Sequence, residues 1–138
     1  MQISRLTEFS IYLADRPGEL AGVLEALRAA GVQAEAVAVS EHNGRGLVRL
    51  IGTPEEALRR VCEGLCDSGA GPVAETQVLC VGLDERPGAF AEVAARLGVS
   101  RINIRYAYQS PSANGTPARC IFRVDDLAAA EGVLRSLA

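Results

Sequence analysis

The first thirty residues change from the hydrophobic period of a strand to that of a helix. Apolar side chains first alternate with polar ones, at Phe9, Ile11 and Leu13. They then recur every three or four residues, at Leu20, Val23, Leu24 and Leu27. These two periods predict a strand followed by an amphipathic helix. Gly31 comes after the last apolar helical position, where glycine commonly ends a helix.

Two further strands are predicted next, at residues 33–40 and 46–51. Asn43-Gly44 lies between them and predicts a tight hairpin, because both residues tolerate positive φ. A second helix is expected to begin at Thr53, with Pro54 at its first position and Glu56 completing a capping box. Its predicted buried face consists of Leu58, Val61, Cys62 and Leu65.

The second half of the chain repeats this order. Strands are predicted at residues 79–83, 102–108 and 120–124, and a longer hairpin loop at 111–117 contains Asn114-Gly115. One helix carries Phe90, Val93, Ala94 and Leu97, and a last helix starts at Asp125-Asp126. Each half thus has the order strand, helix, strand, strand, helix. The pattern predicts an α+β protein of two ferredoxin-like βαββαβ units, 1–70 and 71–138, each an antiparallel sheet with helices on one face.

An internal duplication accounts for this symmetry. Arg16-Pro17-Gly18 recurs 70 residues later as Arg86-Pro87-Gly88. Identical residues also occur in the same register at 21 and 91, 23 and 93, and 27 and 97. Two ungapped copies with matching apolar positions indicate a repeat.

The second unit needs a fourth strand, and nothing after the last helix supplies one. In the repeat register, residues 2–13 correspond to residues 72–83. The segment 72–83 is long enough to close the first unit and to begin the second. We therefore expect residues 3–6 to supply the missing edge strand of the second unit, so that the two units interlock by exchanging edge strands.

Composition excludes several classes of partner. The net charge is −3 with no basic stripe, which argues against nucleic acid. No apolar run is long enough to span a membrane. Residues 1–5 lack the basic start and apolar stretch of a signal peptide, so we expect a cytoplasmic protein. The four cysteines, Cys62, Cys66, Cys80 and Cys120, form no C-x-x-C pair and are expected to pack inward rather than to bind metal or form disulfides.

Catalytic chemistry has little support. His42, the single histidine, stands beside a predicted hairpin turn. As a general base it would need an orienting partner and a pocket, and we expect it to be a solvated turn residue. The sequence shows no nucleophile motif, no glycine-rich phosphate loop and no cluster of metal ligands. We therefore predict no catalytic residue, no metal, no cofactor and no enzymatic activity. A small ferredoxin-like enzyme is disfavoured, because the acid–base set that catalysis needs is missing.

The two Arg-Pro-Gly turns are better candidates for a site. A helix N-terminus presents unpaired N–H groups and partial positive charge, and glycine lets a ligand approach the backbone. Asp15 or Glu85 could bind an ammonium group, and the amides of Gln33 or Asn103 are expected beside the same loop. Such a set suits a zwitterion, meaning a free amino acid. The alternative is that Pro-Gly simply starts a helix and that the acids complement its dipole.

The same residues resemble a known family. Asp-Arg-Pro-Gly-Glu-Leu-Ala-Gly-Val-Leu at 15–24, followed by Gly31-Val32-Gln33, resembles the signature of ACT domains. Glu-Arg-Pro-Gly-Ala-Phe-Ala-Glu-Val at 85–93, followed by Ile102-Asn103-Ile104, resembles it as well. The resemblance covers nearly the whole chain. The chain is therefore similar to small stand-alone tandem ACT proteins.

The resemblance implies a regulatory protein that binds amino acids at interfaces between ACT units. It also implies a homodimer formed by ACT–ACT packing and a regulated enzyme acting in trans. In the family, an Asn before Arg-Pro-Gly and an Asn opening the second strand hold the ligand. Asn103 matches this pattern, whereas Gln33, Asp15 and Glu85 depart from it, so the second copy is the favoured site. The expected ligand-binding set is Asp15, Pro17, Gly18, Gln33, Glu85, Pro87, Gly88, Ala89 and Asn103. A structural or oligomerisation module without ligand is the alternative.

Overall fold

The computed structural model describes residues 2–112 and 115–137, so Asn114 of the predicted hairpin loop lies outside the described residues. The elements run β1 Ile3–Ala14, α1 Glu19–Ala29, β2 Gln33–His42, β3 Arg45–Thr53, α2 Glu55–Asp67, β4 Val73–Gly82, α3 Ala89–Val99, β5 Ile104–Ser110, β6 Arg119–Val124 and α4 Leu127–Arg135. This order confirms the predicted α+β fold with two βαββαβ-like units. None of the helices in the described part of the chain has the length and apolar character needed to cross a membrane.

The boundaries of the two units fall inside strands β1 and β4. One unit comprises Thr7–Thr76, and the other comprises Met1–Leu6 together with Gln77–Ala138. We call them the 7–76 unit and the 77–138 unit. These boundaries differ from the predicted 1–70 and 71–138, because each of the two long strands contributes one part to each unit. The predicted edge strand is confirmed, since residues 3–6 belong with the second half of the chain.

The 7–76 unit is an antiparallel sheet covered by α1 and α2. Strand β3 pairs with β1 on one side, with Phe9 opposite Leu50, and with β2 on the other. Tyr12 N–H donates to Pro72 O at 3.2 Å, and Gly71 N–H donates to Tyr12 O at 2.8 Å. The alternating apolar side chains of β1 pack against both helices in a core of Phe9, Ile11, Leu13, Val23, Leu27, Val32, Val48, Leu50, Leu58 and Cys62.

The 77–138 unit repeats this arrangement. Strand β6 pairs antiparallel with β4 and with β5. Gly82 N–H donates to Gln2 O at 2.8 Å, and Arg5 forms an ion pair with Glu131 of α4. Residues from the start of the chain are therefore tied both to the sheet and to a helix of this unit. Its core consists of Leu79, Val81, Leu83, Ala89, Val93, Leu97, Cys120, Phe122, Val124, Ala130 and Leu134.

Most local stop and start signals hold, but the capping box of α2 does not form. Asn43 and Gly44 have φ of 52° and 77°, which confirms the tight hairpin. Pro54 occupies the N-cap of α2 with ψ 142°, and no side chain caps that helix. Thr53 Oγ1 instead donates to Glu35 Oε1 at 3.1 Å, and Glu56 forms an ion pair with Arg59. The predicted cap fails because both side chains have partners elsewhere.

The cysteines are free thiols, and three of them pack inward as predicted. Cys62, Cys80 and Cys120 are buried, whereas Cys66 is exposed, which corrects the inward placement expected for it. Burial raises the pKa of the Cys62 thiol to about 11 and that of the Cys120 thiol to about 12. A raised pKa lowers the thiolate fraction, and the thiolate is the form that reacts.

We therefore expect Cys66 to be the first thiol that iodoacetamide alkylates in the native protein at pH 8. Cys62, Cys80 and Cys120 should become reactive only in denaturant, because all three are buried and the pKa of Cys62 and Cys120 is also raised. Peptide mass spectrometry after a time course identifies the modified residue, and Cys66→Ser is the control that should remove the fast phase. Fast modification of Cys62 in the folded protein would contradict the packing of α2.

Candidate functional site

Each Arg-Pro-Gly segment forms the connection between a strand and the helix that follows it. We call residues 16–18 the first turn and residues 86–88 the second turn. Gly18 and Gly88 have φ of 90° and 88°, and they occupy the N-caps of α1 and α3. Neither helix has a side-chain hydrogen bond at its cap, because glycine has no side-chain oxygen. The N–H groups at the starts of α1 and α3 are therefore suited to an external anion.

A cavity of 460 Å³ lies beside the first turn, inside the 7–76 unit. Its walls come from the end of β1, the first turn, the start of α1 and the segment that ends α2. The lining residues are Leu13, Ala14, Arg16, Pro17, Gly18, Glu19, Gly22, Val23, Leu65, Ser68, Gly69 and Ala70. The volume lies within the range of small-molecule sites, about 300–1,000 Å³.

The two helix ends at this cavity have opposite polarity. The N-terminus of α1 carries partial positive charge, and the C-terminus of α2 carries partial negative charge. The last turn of α2 contains no basic residue, so no side chain there offsets its negative end. Arg16 Nε donates to Glu19 Oε1 at 2.6 Å, which pairs the two charged side chains in the lining with each other. The cavity thus offers a positive end and a negative end within one unit, an arrangement that matches a zwitterion.

A much smaller cavity lies beside the second turn. The cavity there measures 10 Å³ and is lined by Gly82, Leu83, Asp84, Arg86, Ala89, Glu92 and Val93. Arg86 Nη2 donates to Glu92 Oε2 at 2.5 Å, and this ion pair raises the pKa of Arg86. A separate cavity of 300 Å³ adjoins the same loop and is lined by Gln2, Gly82, Leu83, Asp84, Glu85 and Pro117.

The amides of Gln33 and Asn103 do not lie beside the turns of their own units. Both β1 and β2 are antiparallel to β3, so β1 and β2 run in the same direction. Ala14, just before the first turn, is opposite Arg45 at one end of β3, and Gln33 is opposite Thr53 at the other end. The length of β3 separates them by roughly 25 Å at 3.3 Å per residue.

The second repeat has the same geometry. Gly82 pairs with Arg119 at one end of β6, and Ile104, next to Asn103, pairs with Val124 at the other end. The expectation that these amides lie beside the same loop was therefore wrong. The helix runs back along the sheet, so the next strand starts at the end of the sheet opposite the turn. Each amide therefore lies a strand length from its own turn.

Some of the remaining predicted residues line cavities, and others are exposed outside them. Pro17 and Gly18 line the cavity of the first turn, whereas Asp15 is exposed outside its lining. Glu85 lines the 300 Å³ cavity, and Ala89 lines the 10 Å³ one. Pro87 and Gly88 are exposed at the start of α3.

Sequence reasoning missed the contribution of α2 to the first cavity. Leu65, Ser68, Gly69 and Ala70 form the wall opposite the turn. The run of small residues after the last apolar position of that helix was the available signal. A contact between segments 50 residues apart cannot be obtained from local periodicity, so the wall became visible only in the structure.

Another cavity of 460 Å³ lies on the 7–76 unit, and the arginine in its lining is already paired with carboxylates of the same unit. Its lining includes Arg59, Glu75, Cys62 and Cys66. Arg59 Nη2 contacts Glu75 Oε1 at 2.7 Å and Glu55 Oε2 at 3.2 Å, and the pKa of the Glu75 carboxyl is lowered by Arg59. These contacts leave the cation already paired. Across residues 2–112 and 115–137, no three His, Cys, Asp or Glu side chains come together in a way that could hold a metal ion.

Comparison with known proteins gives a family and a set of similar folds. The model of the ACT domain pair matches residues 1–136. No curated protein matches the chain in sequence. Protein BT0572 from Bacteroides thetaiotaomicron is 25% identical, with a TM-score of 0.82 over 97% of this chain and 89% of that one.

Two aspartate kinase structures have the same fold at lower identity. The ligand-free regulatory subunit of aspartate kinase from Thermus thermophilus is 16% identical, with a TM-score of 0.67 over 99% of this chain and 95% of that chain. Aspartokinase III from E. coli, in complex with lysine and aspartate, is 18% identical, with a TM-score of 0.58 over 98% of this chain and 31% of that chain. These similarities establish the fold.

Proposed function

Because this chain belongs to the ACT domain pair family, whose model matches residues 1–136, we propose that it is a non-enzymatic regulatory protein that binds a free amino acid. The carrying observation is the 460 Å³ cavity between the first turn and the end of α2. Its positive helix end suits a carboxylate, and its negative helix end suits an ammonium group. A neutral or singly charged ligand would use only one of the two ends.

The ligand is expected to lie at an interface between ACT units. An amide such as Gln33 or Asn103 lies a strand length from its own turn, so it can reach a ligand on a turn only from another ACT unit. A homodimer formed by ACT–ACT packing would bring such a unit from a second copy of the chain. The acids Asp15 and Glu85, beside the turns, would then select for the ammonium group.

Regulation would act through packing. A ligand that binds one arrangement of ACT units more tightly than another shifts the population toward that arrangement. The protein would pass this shift to a partner enzyme in trans, in the cytoplasm. The regulatory subunit of aspartate kinase from Thermus thermophilus shows the same fold as a separate subunit, which is consistent with such a role.

A thermal-shift screen against the twenty amino acids tests the binding proposal. A ligand of the folded state at a hundredfold excess over Kd stabilises the protein by about 2.7 kcal/mol, which corresponds to several degrees in Tm for a chain of this size. We expect one amino acid, or a chemically related group, to raise Tm while simple carboxylates and amines do not. If no amino acid changes Tm, the structural or oligomerisation module is the better description.

A further inference from the structure

The two turn cavities are equivalent positions of the internal repeat. With the offset of 70 residues, Leu13, Arg16 and Val23 of the first cavity correspond to Leu83, Arg86 and Val93 of the second. These three pairs are identical in residue type. The cavities nevertheless measure 460 Å³ and 10 Å³. The end of α2 adds Leu65, Ser68, Gly69 and Ala70 to the wall of the first cavity, and the two copies also differ at wall positions that the repeat makes equivalent.

Two wall positions on the helices carry different side chains. Gly22 of α1 corresponds to Glu92 of α3, and Glu19 corresponds to Ala89. In each copy one glutamate of the following helix pairs with the arginine of the Arg-Pro-Gly segment. The two glutamates occupy different positions in their helices. Arg16 pairs with Glu19 at 2.6 Å, and Arg86 pairs with Glu92 at 2.5 Å.

The position of the glutamate decides where the ion pair lies. Glu19 opens α1 beside the turn itself, so its pair with Arg16 stays at the cavity margin. Glu92 is three residues further along α3 than Ala89, and it lines the second cavity together with Arg86. The equivalent position in the first copy is Gly22, which has no side chain. A Cβ built on Gly22 would meet no atom within 4 Å, which shows that this part of the first cavity is open.

We propose that position 22 and its repeat equivalent 92 determine which turn accepts a ligand. Gly22 leaves the first turn open, and Glu92 together with Arg86 closes the second. Each chain then binds one zwitterionic ligand, on the first turn. This inference rests on the proposed function for its ligand, and it reverses the preference for the second copy that the sequence suggested.

The first test reads the two turns separately in the intact chain. Glycine, the smallest amino acid, and the best amino acid from the thermal-shift screen are titrated while the amide resonances of Gly18 and Gly88 are followed by ¹H–¹⁵N NMR. We expect saturable shifts at Gly18 and none at Gly88, with one ligand per chain by calorimetry. Equal or larger shifts at Gly88 would overturn the assignment while leaving the proposed function intact. Silence at both glycines would instead count against the proposed function.

Variants at the two positions separate size from charge. Gly22→Glu should weaken binding at least tenfold, and Gly22→Gln should do the same if the volume of the side chain is what closes the cavity. Ala21→Glu is the matched control, because residue 21 is exposed on α1 outside the cavity lining, and it should bind as the parent does. Glu92→Ala should add a response at Gly88. Unchanged affinity in Gly22→Glu with an intact circular dichroism spectrum would sink the proposal.

A measurement without ligand keeps the inference testable if no amino acid binds. Val23→Cys and Val93→Cys, each in a Cys66→Ser background, place equivalent thiols at the floors of the two cavities. Methyl methanethiosulfonate should label the thiol at 23 at least tenfold faster than the thiol at 93. Adding Gly22→Glu should slow the first reaction, and adding Glu92→Ala should speed the second. Equal rates in all four proteins would refute a role for these positions.

Discussion

Deleting residues 2–6 should destabilise the 77–138 unit by about 2–4 kcal/mol and leave the 7–76 unit closer to its native stability. The deletion removes the backbone bond from Gly82 N–H to Gln2 O, the ion pair of Arg5 with Glu131, and the packing of Ile3 on the core. The magnitude combines about 1 kcal/mol for each lost edge hydrogen bond with the partial burial of Ile3. Hydrogen–deuterium exchange resolved by peptide should show faster exchange in β4 and β6 than in β2 and β3.

A substitution control distinguishes the strand from its side chains. Gln2→Ala should have little effect, because the bond to Gly82 uses the backbone oxygen of Gln2. Ile3→Ala should cost less than the deletion, since the residue is only half buried. If the deletion affects β2 and β3 as strongly as β4 and β6, residues 3–6 do not serve the 77–138 unit in the way that the structure indicates.

Phe122→Ala should be the most damaging single core substitution, with a loss of about 3–5 kcal/mol in the free energy of unfolding. Phe122 is completely buried on β6, where it pairs with Leu79 of β4. Its ring meets that of Phe90 edge-on, with centroids 5.6 Å apart and an interplanar angle of 77°. Truncation removes this aromatic contact and leaves a cavity in the core of the 77–138 unit. Urea unfolding followed by circular dichroism measures the loss.

Two milder substitutions calibrate this result. Phe122→Leu keeps most of the volume and should cost less than half as much. Phe90→Leu removes the same aromatic pair from a half-buried position and should also be milder. A loss below about 1 kcal/mol for Phe122→Ala would mean that the core around β6 is less tightly packed than the structure shows.

Much of the candidate site follows from short stretches of sequence. The positive φ of Gly18 and Gly88 and the helices that follow them confirm the expected helix starts. Such features depend on the backbone preferences of a few neighbouring residues, so a local pattern is enough to predict them. The position of Gln33 was predicted wrongly. The order strand, helix, parallel strand already requires β2 to start at the end of the sheet opposite the turn, because α1 runs back along the sheet.

The ligand preference between the two copies shows the limit of motif comparison. Asn103 matches the family pattern better than Gln33 does, which favoured the second copy. The structure has its large cavity at the first copy instead, where Gly22 stands at the position of Glu92 and the end of α2 supplies a further wall. A motif identifies the residues that are present, but it gives no information about the volume of the cavity between them in the folded chain.

The sequence by itself determined the repeat, the order of strands and helices, and the two glycine-capped turns, because hydrophobic period and glycine conformation act over a few residues. Only the tertiary structure decided that α2 supplies a wall of the first cavity and that the second cavity is much smaller than the first. Each of these depends on side chains far apart in the chain coming within contact distance. Packing volume and long-range pairing are properties of the folded chain, which local patterns do not contain.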